Sequence, residues 1–179
     1  MVSPRSELEA DSWAFALAIY ARPGVAEACL TLQNESGVDV MLLLMATFAA
    51  VKHRLLLTPG EIRTLDEACR LWREQIVWRL RTIRIELKTG PQPAPNSATE
   101  QFRSQVKALE LAAEKLENQL LAECLPLRPP AQGIVKPEQL RTVLEGVVAH
   151  FAERRGAAPK ASPPSPIDTI VEAAIQNAS

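Results

Sequence analysis

Apolar positions along this chain recur at steps of three and four through most of its length, the period of helices that bury one face. The first helix covers residues 12–21, with Asp11 or Ser12 as its cap and Trp13, Leu17 and Tyr20 on one side. The second covers 23–37. Pro23 suits a first turn, Gly37 suits a C-terminal stop, and Val25, Ala28, Cys29 and Leu32 form its apolar set. The third, 39–54, has Asp39 as a cap and is apolar almost all round, so it belongs at the centre of a bundle.

The fourth helix, 59–89, is the longest pattern with a clear start. Thr58 followed three residues later by Glu61 is a capping box, with Pro59 in the first turn. It carries three stripes. Ile62, Leu65, Cys69, Trp72, Ile76, Leu80, Ile83 and Leu87 share one side. Arg70, Arg73, Arg81, Arg84 and Lys88 form a second, and Leu71, Trp78 and Ile85 a third nearly opposite. A helix apolar on two sides and cationic between them is expected to pack twice and still present charge. The step from Ile76 to Leu80 is a second consecutive step of four, which locally relaxes a left-handed supercoil.

Gly90 and the prolines at 91, 93 and 95 end that helix, and Ser97 with Glu100 supplies a second capping box for the next, 98–124. There Phe102, Val106, Leu109, Ala113, Leu116 and Leu120 keep a heptad spacing. The short connection favours antiparallel neighbours. The fourth helix is net positive after residue 70 and this one net negative, which suits their pairing. A sixth helix spans 137–155, with Leu140, Val143, Leu144, Val147 and Phe151 on one face. Residues 1–10 read as a flexible lead and the Pro/Ala/Ser-rich 156–166 as a linker. Residues 167–179 form a short amphipathic segment, marginal as an isolated helix.

Composition narrows the class. With 179 residues, 47% of them apolar and 23% charged, the chain is long enough for one domain with a sizeable core. The formal net charge of −1 means that an anionic partner must be met by a local patch. The apolar run 40–51 is roughly 12 residues, too short to span a bilayer. No basic region leads into an apolar run at the N-terminus, so no secretory signal is read. Cys29, Cys69 and Cys124 form neither a CxxC pair nor a zinc pattern and read as small hydrophobes in a reducing compartment. A cytoplasmic protein with no membrane partner is expected.

Candidate chemistry is sparse. His53 and His150 have no carboxylate or ligand at a telling spacing, the four aspartates are isolated, and no glycine-rich phosphate loop occurs. Neither metal nor cofactor is expected. Asp39 reads as a cap before it reads as a functional carboxylate. With Tyr20 and Arg22 it is the only candidate set for a small-molecule pocket, between the first three helices. The stripe Arg70, Arg73, Arg81, Arg84 and Lys88 has four readings: a solvated face, ion pairs with acidic residues of helix 98–124, a protein contact, or phosphate binding.

The block Trp13-x-Phe15-x-Leu17-x-x-Tyr20-x-Arg22-Pro23-Gly24-Val25, continued by Cys29-Leu30-x-Leu32-Gln33 and Gly37-x-Asp39-Val40, resembles the opening of a proteobacterial family of small helical proteins of unknown function. Trp72-Arg73-Glu74 through Leu80-Arg81-x-x-Arg84-x-x-Leu87-Lys88 resembles that family's second block. The likeness covers roughly residues 12–124. It implies a bacterial cytoplasmic protein and carries no activity over. The family has a proline near residues 78–80 that this chain lacks, which implies a straighter fourth helix.

The sequence therefore predicts an all-α bundle with a long antiparallel, coiled-coil-like hairpin. Its favoured function is non-enzymatic protein binding, to a partner or to itself, through the cationic face of helix 59–89. An enzyme with a pocket at Tyr20, Arg22 and Asp39 is the alternative, and RNA or ribosome association a weaker one.

Overall fold

The computed structural model describes residues 4–126, 128–156 and 165–177, and every element among them is helical. Helix α1 runs Pro4–Tyr20, α2 Val25–Ser36 and α3 Val40–His53. The first begins well before residue 12. Leu8 packs on the core, Arg5 bonds the Glu123 carbonyl, and Ser12 is buried, accepting from Asn118 Nδ2 at 2.9 Å. Residues 4–10 thus belong to the folded body. Helix α2 ends at Gly37 in the left-handed region (φ +71°), whose N–H donates to the Gln33 carbonyl at 3.0 Å. A Cβ there would lie 2.5 Å from Arg155 Nε, so both the conformation and the space call for glycine.

Helix α3 is the hub. Leu42, Leu43, Met45, Ala46, Phe48 and Ala49 are fully buried on different sides of it, against α1, α6 and α7. Asp39 caps it by accepting from Met41 N at 2.9 Å.

Helix α4 (Pro59–Trp72) and α5 (Trp78–Glu86) are one helix joined by a π-helical turn, Arg73–Val77, in which the Trp78 N–H donates to the carbonyl of Arg73. The Thr58–Glu61 capping box forms at its start, at 2.8 and 3.3 Å. Such a turn adds one residue to the helical repeat. Ile62, Leu65 and Cys69 are buried as the sequence predicts, but the buried line then passes to Arg73 and Val77 instead of Trp72 and Ile76. The consecutive steps of four coincide with this change of phase. The third stripe does not make a second packing face, for Leu71, Trp78 and Ile85 all remain exposed.

Helix α6 (Ser97–Cys124) returns antiparallel to α4 and α5: Cys69 Sγ lies 3.9 Å from the Glu117 carbonyl, and Trp72 Nε1 donates to the Ala113 carbonyl at 3.0 Å. Its cap is Asn96 with Thr99, one residue ahead of the expected Ser97–Glu100 box, and Glu100 pairs with Arg103 instead. Asparagine is at least as good an N-cap as serine, which settles the register. The expected heptad seam splits. Val106 and Ala113 face inward, whereas Phe102, Leu109 and Leu116 face out. Glu110 and Glu117 take the inward places.

Helix α7 (Pro137–Arg155) packs on α3 and α4. Helix α8 (Pro166–Gln176) docks on α2 and α7 and buries Ile170, Val171 and Ala174. Each fully buried aliphatic side chain contributes roughly 1.5–3 kcal/mol, enough to hold a helix that would not persist alone. Most of the expected linker 156–166 lies outside the described residues.

Candidate functional site

Among the described residues the largest fully buried side chain is an arginine, Arg73, at 1% exposure. Regular α-helical geometry places it there: the Arg73 N–H donates to the Cys69 carbonyl, and at about 100° per residue Arg73 continues the buried line of Ile62, Asp66 and Cys69 while Trp72 lies at its edge. The π-turn that follows adds a residue and brings Val77, and beyond it Arg81 and Arg84, round to the same side. Its Nη1 donates to Asp39 Oδ2 at 2.6 Å, and its Nη2 donates to Asp66. Trp78 and Phe151 cover the guanidinium, with ring centroids 5.8 and 5.3 Å from its central carbon. Asp66 also meets two groups from α7: His150 Nε2 at 2.8 Å and Arg154 Nη1 at 2.5 Å. Asp39 divides its oxygens between the α3 cap and Arg73.

A third carboxyl, that of Glu117, enters from α6, with Oε1 3.8 Å from Arg73 Nη1. Burial, reinforced by the neighbouring Asp39 carboxylate, pushes its pKa up to about 10, so at neutral pH it is the acid and hydrogen-bonds Asp39. Burial also acts to raise Asp66. The hydrogen bond with His150 and the guanidiniums of Arg73 and Arg154 outweigh it and hold that carboxyl below its ordinary range. Two carboxylates thus face two guanidiniums, and the third acid stays neutral.

A second group lies one to two turns along the hairpin. Arg81 donates to Glu110 Oε1 (2.8 Å), Gln33 Oε1 (2.7 Å) and Glu114 Oε1 (2.7 Å), and Arg84 also pairs with Glu110. Burial acts to raise Glu110, but the bonds from Arg84 and Arg81 bring it below its ordinary value. Glu114 is raised, chiefly by burial. Between the two groups is a cavity of about 10 Å³ lined by Asp39, Glu117, Glu114, Arg73, Arg81 and Trp78, with room for roughly one water.

Three of the five residues expected to form an exposed cationic stripe are therefore turned inward. Arg73 is at the core and Arg81 and Arg84 are held by α6, leaving Arg70 and Lys88 exposed. Arg73 follows the regular phase of the α4 buried line, and the phase change at the π-turn brings Arg81 and Arg84 round to the glutamates of α6. Of Tyr20, Arg22 and Asp39, Asp39 alone lines the cavity between the two groups. It is spent on Arg73 and the α3 cap.

An open groove of about 440 Å³ between α4 and α7 is lined by Arg63, Asp66, Glu67, Arg70, His150, Glu153 and Arg154. It has no apolar floor to hold an organic ligand. Among the described residues no group of three or more His, Cys, Asp or Glu is placed to hold a metal ion.

Sequence reasoning offers ion pairs with acidic residues of helix 98–124 as one reading of the arginines without naming Glu110, Glu114 or Glu117, and it misses Asp66, His150 and Arg154 as partners around Arg73. One signal was available: Glu110, Glu114 and Glu117 lie at helical spacing, as Arg73, Arg81 and Arg84 do, on two helices expected to be antiparallel.

A family model described as a protein of unknown function (DUF2390) matches residues 11–121. No curated protein matches the chain. No solved structure matches it.

Proposed function

The chain belongs to this family of unknown function, and from that premise we propose that it is a non-enzymatic, cytoplasmic protein-binding module whose contact surface is the outward apolar face of the α5–α6 hairpin. The observation that carries this reading is the inversion of α6. Glu110 and Glu117 are 5% and 1% exposed, while Leu109 and Leu116, one residue before each, are 59% and 49% exposed. Ile76 and Ile83 on the facing helix are exposed as well. Monomers seldom present large contiguous apolar patches, and such patches mark interaction sites. The convergence of arginines and glutamates inside the hairpin supports protein over nucleic acid, because Arg81 and Arg84 are already neutralised by Glu110 and Glu114. The free thiols of Cys29, Cys69 and Cys124 support the reducing compartment.

The test is affinity capture from a bacterial lysate, with and without nuclease, comparing wild type with Leu109→Glu/Leu116→Glu. The reading expects a protein retained after nuclease and lost with the double substitution. Equal capture by both proteins overturns it, and capture that vanishes with nuclease moves the function to nucleic acid.

A further inference from the structure

We infer that the cavity between the Arg73 and Arg81 groups is a binding site for one water molecule, which joins the two buried charge groups into a single hydrogen-bonded network. The inference concerns the interior of the hairpin and is independent of what its outer face binds.

Two buried side-chain atoms carry it. Glu117 Oε1 and Arg73 Nε have no hydrogen-bond partner among the described residues. Buried polar atoms are as a rule satisfied by protein or by ordered water, and an unsatisfied one carries its full desolvation cost. Glu117 Oε1 is 3.8 Å from Arg73 Nη1, beyond hydrogen-bond reach, and that nitrogen already donates to Asp39 Oδ2. Both residues line the same cavity, together with Asp39, Glu114 and Arg81.

Size and chemistry fix the class of ligand. A space of about 10 Å³ is close to the least that takes one water and leaves no room for a second. The unpartnered atoms are one donor and one acceptor. A water accepts from the guanidinium N–H and donates to the carboxyl oxygen; a bare cation or an anion satisfies only one of the two. Charge points the same way. The guanidiniums of Arg73 and Arg81 oppose a cation in the cavity, and the acidic side chains of Asp39, Glu114 and Glu117 oppose an anion. Arg73 is already paired with Asp39 and Asp66, and Arg81 with Glu110 and Glu114, so no charge is left for an ion to neutralise.

The second hydrogen of the water goes to Glu114. That carboxyl lines the cavity, and its Oε1 is held by Arg81 Nη2 at 2.7 Å. The water then links Arg73 and Glu117 of the first group to Glu114 and Arg81 of the second, and through Arg81 to Gln33 on α2 at 2.7 Å. Met41 and Val77, both buried, form part of the wall and slow its exchange with solvent. Glu117 thereby gains the partner that lets α6 turn this residue inward and Leu116 outward.

A high-resolution crystal structure of the full chain is the test. The expected result is a single water in the cavity, at about 2.7–3.2 Å from Glu117 and from Glu114. A cavity filled by a rotated side chain, one with no density, or density at ion-coordination distances from the carboxyls overturns the site. Oxygen-17 relaxation dispersion reads the same site in solution by counting long-lived internal waters. Glu117→Met, close in shape but without the oxygens, should lose one such water relative to wild type. Glu117→Gln, which keeps a carbonyl oxygen, should retain it. Equal counts in all three proteins overturn the assignment, as does loss from Glu117→Gln alone. If circular dichroism shows that Glu117→Met does not fold, the wild-type crystal and Glu117→Gln decide between the same outcomes.

Discussion

Arg73 Nη1 and Glu117 Oε1 lie 3.8 Å apart at the centre of the bundle, and Glu117 Oε1 has no hydrogen-bond partner among the described residues. The guanidinium is committed to Asp39 and Asp66. Glu117 meets its charge problem by staying protonated, so this is a neutral acid beside an ion cluster and not a third ion pair.

That state has a pH signature. A carboxyl raised from 4.5 to about 10 on folding adds stability that is fully present below pH 4.5 and is lost as pH rises toward about 10. Glu117→Gln removes the titration and keeps the shape. We expect its stability near pH 5 to be within about 1 kcal/mol of wild type, and its urea midpoint to fall less than that of wild type between pH 6 and 9 (about the middle of the window). Parallel pH profiles would refute the assignment.

Asp66 has the opposite sign. Its carboxyl is held below the ordinary range, so it contributes stability above its unfolded value that is lost as pH falls through its folded value. Removing the central cation leaves Asp39 and Asp66 buried with their main partner gone. Arg73→Met should cost about 3–5 kcal/mol by chemical denaturation, against less than about 0.5 kcal/mol for the exposed Arg70→Ala. Comparable losses from both would mean that Arg73 is not the keystone of the cluster.

Charge reversal at Arg81 and Arg84 is expected to disturb the fold. Arg81→Glu/Arg84→Glu would set two new carboxylates against Glu110 and Glu114, at a cost on the order of 3 kcal/mol. Thermal melts followed by circular dichroism should show a clear drop. Arg70→Glu/Lys88→Glu, both on the surface, should melt as wild type does.

Gly37→Ala should destabilise by more than about 1 kcal/mol, because a left-handed backbone and a close Arg155 side chain oppose the methyl together. Adding Arg155→Ala should recover the steric part and leave the conformational part, which a double-mutant cycle in urea would separate.

Much of the fold was legible in local chemistry. The Thr58–Glu61 box, the Gly37 stop, the Asp39 cap and the all-round apolar 39–54 helix are each fixed by neighbours in sequence. The site was not. Periodicity shows that Phe102, Leu109 and Leu116 share a side, but not whether that side faces in. Arg73 shares the phase of Ile62, Asp66 and Cys69, but an arginine on that line reads as solvated, and a one-residue change of phase after it, at the π-turn, decides that Arg81 rather than Leu80 turns toward α6. Its partners Asp39, Asp66 and Glu117 lie on three different helices, and isolated carboxylates give no spacing to read.

Asp66 takes two of its three cationic or imidazole partners from residues 150 and 154, beyond the matched 11–121. Within the matched stretch Asp66 has the Arg73 guanidinium alone, which it shares with Asp39. A fragment ending at residue 121 would hold the acid without its α7 counterweight, and the region after the match is part of the same electrostatic unit.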